Sequence, residues 1–204
     1  MDIAIILFLA YIFGSIPSGL IIGKLFYKTD IREHGSGNLG GTNAFRVLGA
    51  KAGITVILMD ILKGTLAASL PQLYTMWIGP LSFDIHPLIV GLVAAIGHMY
   101  PIFAGLRGGK AVATSAGVVL YYDPFLFAFL ILVFAITLLL SQYVSLSSMV
   151  ASIAAVIYSI VKLDPFLIVM VGTFAIFIVY RHRANIKRIL NKEEPKVKLF
   201  RKAK

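Results

Sequence analysis

Long apolar stretches interrupted by short polar segments dominate the sequence. A transmembrane helix needs about 20 predominantly apolar residues, and seven segments meet or approach that requirement. They lie at about 3–26, 52–70, 87–103, 110–122, 125–140, 146–161 and 166–180. We therefore predict an all-α integral membrane protein with seven transmembrane helices, built as a single membrane-embedded domain over residues 1–204.

Three of these segments depart from a simple span. The first is broken by Gly14, Pro17 and Gly19, and the fourth, at 13 residues, reaches only about 20 Å across a hydrocarbon core of about 30 Å. The second carries Asp60 and Lys63, and ionisable residues inside a span usually face the protein interior or a cavity. The sequence leaves open whether this pair is self-contained or whether the lysine points to an anionic site.

Charge patterning gives the predicted orientation. The chain is 59% hydrophobic, only 14% charged, and carries a formal net charge of +10. Of its 19 lysines and arginines, all but Lys63 and Lys162 flank alternate ends of the predicted spans, as in proteins that obey the positive-inside rule. This places the N-terminus outside, and the C-terminus, with a basic tail at 187–204, in the cytoplasm. The Pro71–His86 connection then lies outside, with Tyr74 and Trp77 as interface anchors.

Charge placement and the absence of cysteine argue against nucleic-acid binding, disulfides and thiolate metal sites. The basic residues border membrane spans, where they contact anionic lipid head groups, so we expect contact with the lipid bilayer and none with nucleic acid. Cysteine is absent, which excludes disulfides and thiolate metal sites.

The most unusual segment is DIREHGSGNLGGTNAFRVLG, from Asp30 to Gly49. Glycine allows backbone N–H groups to approach a ligand closely, and successive N–H groups in a bend bind anions. A helix beginning near Thr42 would direct its N-terminal N–H groups to the same place, and Arg46 adds a forked donor suited to phosphate. The segment therefore predicts a phosphate site at a membrane surface, although a plain flexible loop has the same composition.

A second glycine turn lies in GHMYPIFAGLRGGKAVATS, from Gly97 to Ser115. Arg107 and Lys110 flank Gly108 and Gly109 just before the fourth span, which predicts a second anion site. The spacing does not match a Walker loop, and Ala111 replaces the hydroxyl residue that would bind Mg²⁺. His98 is interpreted as a hydrogen-bonded helix histidine rather than a catalyst.

Two further polar segments fall on the predicted cytoplasmic side. In SQYVSLSS, at 141–148, the hydroxyls, including that of Ser145, either contact a polar substrate or bond back to helix carbonyls. In RHRANIKRILNKEE, at 181–194, His182 and Asn185 are three residues apart and share one helix face.

Several reaction classes lack their usual residues. No carboxylate cluster of the kind that binds Mg²⁺–pyrophosphate is present, and no G-x-S-x-G motif. No histidine is followed at the fifth position by aspartate, the pattern of coenzyme A-dependent glycerol acyltransferases. We therefore expect no metal and no cofactor.

The three glycine-rich or basic motifs, GSGNLGGTNAFR, GHMYPIFAGLRGGKAVAT and RHRANIKRILNKEEP, together resemble those of the bacterial acyl-phosphate:glycerol-3-phosphate acyltransferases. The resemblance extends to GSIPSGL in the first span and DILKG in the second. Small departures are Gly41 for the usual alanine, Leu106–Arg107 for Phe-Lys, and Lys192 for a common glycine.

This resemblance implies a membrane acyltransferase in phospholipid biosynthesis. An acyl phosphate would donate its fatty acyl group to the sn-1 hydroxyl of glycerol 3-phosphate, giving lysophosphatidic acid and inorganic phosphate, at the cytoplasmic face of the bacterial cell membrane. A separate upstream enzyme would supply the acyl phosphate.

The implied site residues fall into three groups. The catalytic residues are Ser36, Arg46, His182 and Asn185. The acyl-phosphate head group is assigned to Ser36, Gly37, Asn38, Gly40, Gly41, Thr42 and Asn43. The glycerol phosphate is assigned to Arg46, Lys110, Ser145, His182 and Asn185, and Gly108 and Gly109 are further substrate-binding residues.

Two alternatives stay open. Either His182 or the phosphate of the substrate is the general base. A transporter or flippase for a phosphorylated solute or lipid would also use broken spans and cationic glycine loops, but it would need polar residues that continue to the outer face. There the sequence offers little beyond Asp84, His86, Asp123, Lys162 and Asp164.

Overall fold

The structure, a computed structural model, describes residues 1–197 and contains only helices and connecting segments in that range. The helices are α1 (Asp2–Ser15), α2 (Ser18–Tyr27), α3 (Gly41–Leu48), α4 (Ala50–Trp77), α5 (Pro87–Met99), α6 (Val112–Tyr122), α7 (Pro124–Ser141), α8 (Val144–Val161), α9 (Pro165–Arg181) and α10 (Arg183–Leu190). Short 3-10 turns lie at Ile31–Glu33 and Ile102–Ala104. The all-α prediction is confirmed for these residues.

The chain forms two compact units, Met1–Pro124 and Phe125–Lys204, of which the second is described to residue 197. In the first unit, α4 packs against α3, α5 and α6, and α1 packs against α4 and α5. In the second unit, α8 packs against α9. The last residues of the predicted basic tail, 198–204, lie outside the described residues.

The helices of the structure coincide with the predicted apolar segments, but they do not determine how many of these segments cross the membrane. Within residues 1–197, four helical segments, α4, α7, α8 and Pro87–Ala104, are long and apolar enough to cross a membrane. Two bent pairs, α1 with α2 at 43° and α9 with α10 at 56°, would bring the number to six, and α6 is a shorter apolar helix. Seven spans and the orientation of the termini therefore stay predictions.

The break in the first predicted span has a direct chemical cause. Pro17 separates α1 from α2, and proline provides no backbone N–H for the helical ladder. The prediction that this span is broken is confirmed.

Helix α4 corrects the predicted end of the second span. The sequence predicts Pro71 in a loop, but the helix continues through it to Trp77. Proline has no N–H for the carbonyl four residues before it, and membrane helices tolerate this loss where neighbouring groups satisfy the backbone. Tyr74 and Trp77 consequently lie in the last turns of a helix and not in a connection.

The fourth predicted span also begins later than expected. Helix α6 starts at Val112, so Lys110 precedes it, and its 11 residues extend only about 17 Å. Ala111 caps it in a left-handed conformation, with φ of 60°.

Glycines bring α4 and α6 into backbone contact. A Cβ added at Gly117 would lie 1.9 Å from the Ile61 carbonyl oxygen, and one at Gly64 would lie 2.1 Å from the Thr114 carbonyl oxygen. Small residues allow membrane helices to approach this closely. The Thr65 hydroxyl also donates to the Gly117 carbonyl at 2.8 Å.

We expect Gly117→Ala to destabilise the protein, because the added methyl group collides with backbone that cannot rotate away. Overpacking of this kind costs about 1–3 kcal/mol, measured as a lower midpoint of thermal unfolding in detergent. Gly172→Ala is the matched control, since a Cβ there meets nothing within 4 Å. Equal stability of the two variants would contradict the close approach of α4 and α6.

Candidate functional site

The glycine segment starts with a capped turn. The Asp30 carboxylate accepts the backbone N–H of Arg32 at 3.1 Å and two guanidinium bonds from Arg32 at 2.9 and 2.6 Å. Hydrogen bonding by this arginine holds the pKa of Asp30 well below its usual range. Arg32 is thus paired locally.

Asn43 holds the glycine loop together. It is only 2% exposed; its Oδ1 accepts the Ser36 N–H at 2.9 Å, and its Nδ2 donates to the carbonyls of Ile31 and His34 at 3.0 and 3.2 Å. Gly35 has a φ of 62°, in the left-handed region, and a Cβ there would lie 2.4 Å from Asn43 Oδ1. Asn43 thus braces the loop from inside, and its predicted contact with phosphate stays a prediction.

Three of the predicted polar ligands in this segment are exposed. Helix α3 begins at Gly41, next to the predicted Thr42, and the Gly40 N–H donates to Asn38 Oδ1 at 2.9 Å. Ser36, Thr42 and Arg46 are exposed. Thr42 and Arg46 are four residues apart, so they share one face of α3. Because the first N–H groups of a helix have no partner within it, this end of α3 is suited to an anion.

Gly41, also assigned to the acyl phosphate, is buried against helix α4. A Cβ at Gly41 would lie 2.3 Å from Ile57 Cγ1. The face of α3 that carries Gly41 is therefore a packing surface. An alanine at position 41, the usual residue in the family that the sequence resembles, would require the Ile57 side chain to move.

The Gly108–Gly109 turn, predicted as part of an anion site, has backbone partners for both glycine N–H groups. The Gly108 N–H donates to the Met99 carbonyl at 3.2 Å and the Gly109 N–H donates to the His98 carbonyl at 3.1 Å. A Cβ at Gly108 would lie 2.0 Å from the His98 carbonyl oxygen, and one at Gly109 would lie 2.0 Å from His98 Nε2. These glycines permit close packing on His98, and their assignment as substrate-binding residues stays a prediction. Lys110, the next residue, is half-buried.

A buried polar cluster lies beneath these loops in the first unit. Lys63 Nζ is 2.8 Å from Asp60 Oδ1, so the lysine pairs with the aspartate of its own helix. Ser18 donates to the same carboxylate oxygen at 2.8 Å, and His98 Nδ1 is 3.6 Å from it. A small cavity beside the cluster is lined by Ile16, Pro17, Ser18, Leu39, Asp60, Lys63, His98, Pro101 and Gly109.

In the second unit, the chain bends at His182, between α9 and α10. The ring is only 3% exposed, and Nδ1 lies 2.7 Å from the Ile178 carbonyl oxygen. A carbonyl oxygen only accepts, so Nδ1 carries the proton, and in the neutral ring Nε2 is the basic nitrogen. The interpretation of His182 as a base is compatible with this tautomer.

Glu194 links Ser145 to Asn185. Its carboxylate accepts the Ser145 hydroxyl at 2.7 Å, the Asn185 amide at 2.6 Å and Arg188 Nε at 2.7 Å. Burial alone would raise the pKa of Glu194, but these hydrogen bonds and the arginine charge outweigh it and lower the pKa. Ser145 thus donates to a carboxylate, whereas Ser147 and Ser148 bond back to helix carbonyls.

Sequence reasoning missed Glu194. In the sequence, NKEEP reads as part of a basic tail, and its two carboxylates have no evident structural function. The available signal was an acidic residue, nine positions after Asn185, in an otherwise basic segment.

Comparisons with known proteins agree over nearly the whole chain. The sequence model of the glycerol-3-phosphate acyltransferase family matches residues 4–192. The chain is 62% identical to the glycerol-3-phosphate acyltransferase of Geobacillus kaustophilus, covering 96% of each chain. It is 59% identical to that of Bacillus subtilis, covering 97% of this chain and 99% of the relative.

Solved structures give the same result. Crystal structures of PlsY, an integral membrane glycerol 3-phosphate acyltransferase, in glycerol 3-phosphate and lysophosphatidic acid forms, are 38% identical to the chain. Their TM-scores are 0.85 and 0.82, covering 95% of this chain and 94% of the other.

We expect Glu194→Gln to lower the free energy of unfolding by about 2 kcal/mol at pH 7, because hydrogen bonds to a charged group are replaced by weaker ones. The lowered folded pKa means that the carboxylate's contribution is present above its unfolded pKa, about 4.3, and is lost as the pH falls through the folded pKa. The difference from the parent protein should therefore shrink in acid, measured by thermal unfolding between pH 7 and pH 3.

Glu193→Gln is the control for this experiment. Glu193 is exposed, and surface substitutions usually change stability by less than about 0.5 kcal/mol. A Glu194→Gln loss of the same size at every pH would show that the charge of Glu194 is not what holds Ser145 and Asn185.

Proposed function

The chain belongs to the glycerol-3-phosphate acyltransferase family, and we propose that it transfers a fatty acyl group from acyl phosphate to the sn-1 hydroxyl of glycerol 3-phosphate. The products are lysophosphatidic acid and inorganic phosphate, in the first step of phospholipid biosynthesis. The observation that carries this proposal is the full-length match to a membrane enzyme crystallised in glycerol 3-phosphate and lysophosphatidic acid forms. These two molecules differ by one acyl group, so they are the acceptor and the product of the same transfer.

The donor is the one that the family resemblance implies, and it suits the chemistry available in the chain. An acyl phosphate is a mixed anhydride and is already activated. The hydroxyl oxygen of glycerol 3-phosphate attacks the carbonyl carbon, the bond from that carbon to the phosphate oxygen breaks, and phosphate leaves. No acyl-enzyme is required, so the protein needs to align two anionic molecules and to stabilise developing charge.

We assign the acyl-phosphate head group to the glycine loop of the first unit. Ser36 and Thr42 are exposed there, and the loop shape is maintained by Asn43. The N–H groups at the start of α3 favour negative charge. Asn38, Gly37 and Gly40 shape the backbone that would approach the phosphate.

The phosphate of glycerol 3-phosphate is assigned to the cations Arg46 and Lys110. Arginine binds phosphate through two parallel N–H groups, and lysine binds it as a compact charge. Ser145 and Asn185 are assigned to the glycerol hydroxyls. Both donate to Glu194, and each also has an oxygen that accepts hydrogen bonds, which suits a hydroxyl better than a phosphate.

The transferred proton has two candidate acceptors. His182 has its proton on Nδ1, so Nε2 is a candidate base. The phosphate of the substrate is the other candidate, since its second pKa is about 6.

The rival function, transport of a phosphorylated solute or lipid, is disfavoured by the polar residues predicted for the outer side. His86 caps α5 by accepting the Leu88 N–H at 3.2 Å, and Asp164 caps α9 by accepting the Leu167 N–H at 3.0 Å. Lys162 lies 5.5 Å over the ring of Tyr158. These contacts serve helix ends, which is a structural use and not the lining of a polar path.

We place the enzyme in the bacterial cytoplasmic membrane with its site facing the cytoplasm. The acyl phosphate must be made by another enzyme, because this reaction consumes it and does not regenerate it. Both substrates are charged, which fits access from the aqueous side that carries the basic residues.

The direct test is turnover by purified protein in detergent, given labelled glycerol 3-phosphate with palmitoyl phosphate or palmitoyl-CoA. We expect lysophosphatidic acid from palmitoyl phosphate alone.

Arg46→Ala should lose at least about 2 kcal/mol in kcat/KM, a loss of some 30-fold or more, because a charged contact to phosphate is removed. Lys51→Ala is the matched control, since Lys51 is an exposed cation in the first turn of α4, and this variant should retain parental activity.

The base is tested separately with His182→Gln. If Nε2 accepts the proton, kcat should fall by about 100-fold or more, while glycerol 3-phosphate still binds. Retention of most of kcat would assign proton transfer to the substrate phosphate.

Orientation is testable because the chain has no cysteine. Single cysteines at the exposed positions Phe83, Arg107 and Glu193 can be treated in intact cells with a membrane-impermeant maleimide. We expect labelling at Phe83→Cys only, with the other two labelled after permeabilisation. Labelling of Arg107→Cys and Glu193→Cys from opposite sides would contradict a single cytoplasmic site.

A further inference from the structure

The cluster around Asp60 connects two separate interruptions of regular structure in the first unit, the α1–α2 break and the Gly108–Gly109 turn. Asp60 and Lys63 lie on α4, where they are 2% and 6% exposed. Lys63 Nζ donates to the Ile16 carbonyl at 2.8 Å, at the break between α1 and α2. Ser18, at the start of α2, donates to Asp60 at 2.8 Å.

The third connection runs through His98, near the end of α5. Its Nδ1 is 3.6 Å from Asp60 Oδ1 and 3.0 Å from the Thr114 hydroxyl on α6. Its carbonyl accepts the Gly109 N–H at 3.1 Å. The ring lies against Gly109 so closely that a Cβ there would be 2.0 Å from Nε2. The position of the Gly108–Gly109 turn is therefore tied to the position of the histidine ring.

The same cluster is adjacent to the other substrate loop. One cavity is lined by Leu39 of the glycine loop, Gly109 of the turn, and the side chains of Asp60, Lys63 and His98. Leu39 precedes Gly40, the cap of α3, and Gly109 precedes Lys110. Both segments to which we assign phosphate groups are thus next to one buried ionic network.

We propose that Asp60, Lys63 and His98 form a positioning centre that sets the Gly108–Gly109 turn, and through it Lys110, in the arrangement that binds the phosphate of glycerol 3-phosphate. The inference rests on the function proposed above. The three residues are positioning residues and not substrate ligands; they act through the turn and through the carbonyl at the α1–α2 break.

Stability alone is a weak reason for such a network. Two buried charges are costly to desolvate, and apolar residues of similar size often hold helices together equally well. The glycine contacts between α4 and α6 already pack these helices. An ion pair also provides directional bonds. Here Lys63 bonds to the backbone carbonyl of Ile16, and Asp60 lies next to the ring of His98, on which the Gly108–Gly109 turn packs.

The main test compares Asp60→Asn with the control Thr65→Val in the purified full-length protein. Thr65 lies on the same helix and donates across to Gly117 of α6 at 2.8 Å rather than to His98. We expect Asp60→Asn to raise KM for glycerol 3-phosphate by about tenfold or more, because small misplacements of a binding group are costly, with KM for palmitoyl phosphate changed less than about twofold. Thr65→Val should lower the unfolding midpoint and leave both KM values unchanged.

A double-mutant cycle with Lys110→Ala distinguishes an effect of Asp60 on the position of Lys110 from a general loss of rigidity in the protein. If Asp60 acts through Lys110, the effect of Asp60→Asn on KM for glycerol 3-phosphate should fall below about twofold in a Lys110→Ala background, since coupled residues are not additive. An undiminished effect in that background would overturn the proposal.

The double variant Asp60→Asn with Lys63→Met, in which both buried charges are removed, tests the positioning function in a second way. Removing both charges avoids an uncompensated buried ion. A stably folded pair with raised KM for glycerol 3-phosphate supports positioning, whereas a stably folded pair with parental KM values overturns it.

Thr114→Val covers the case in which the charge variants fail to fold. It removes one hydrogen bond from His98 without leaving a buried charge, and we expect a smaller rise in the same KM. An unchanged KM would overturn the proposal. Absence of turnover by the parent protein would instead refute the proposed function, so the two failures are distinguishable.

Discussion

Satisfaction of backbone hydrogen bonds is the constraint on which this structure depends. In hydrocarbon an unpaired carbonyl or N–H costs several kcal/mol, so a helix can be interrupted only where another group replaces the lost bond. The break after Ile16 is closed by Lys63. The turn before α6 is closed by the carbonyls of Met99 and His98, and the bend at His182 places its ring on the Ile178 carbonyl. Irregular backbone is thus paired with a specific polar partner at each of these places.

The candidate site follows from the same constraint. A group that binds a charged substrate needs irregular backbone or cations, and those features are tolerated only when a buried framework supports them. Asn43 provides that framework for the glycine loop, and Glu194 provides it for Ser145 and Asn185. The exposed Ser36, Thr42 and Arg46 are available for ligands because other side chains complete the local hydrogen bonds.

Sequence alone located the polar segments and most helices, because their composition departs sharply from the surrounding apolar residues. It did not show which of the polar and glycine residues brace or pack the loops. Asn43 and Gly109 have the same local signature as phosphate ligands, and only three-dimensional contacts show that one holds a loop and the other packs on His98. The predicted end of α4 at Pro71 was wrong, since proline occurs inside membrane helices more often than inside soluble ones. The function of Glu194 depends on a contact 49 residues away in sequence, which no local pattern indicates.

Glycine therefore has two different uses in this chain, and they explain why its motifs resemble nucleotide-binding loops without being such loops. At Gly35 the backbone is left-handed and closes a turn around Asn43, whereas at Gly108, Gly109 and Gly117 the missing side chain lets one segment approach another. In the second use the N–H groups need not face a ligand at all. With the activated donor proposed above, such an arrangement would be sufficient. The leaving phosphate would supply the driving force, and the protein would need only to hold a few cations and hydroxyls in rigid positions, which close helix packing favours.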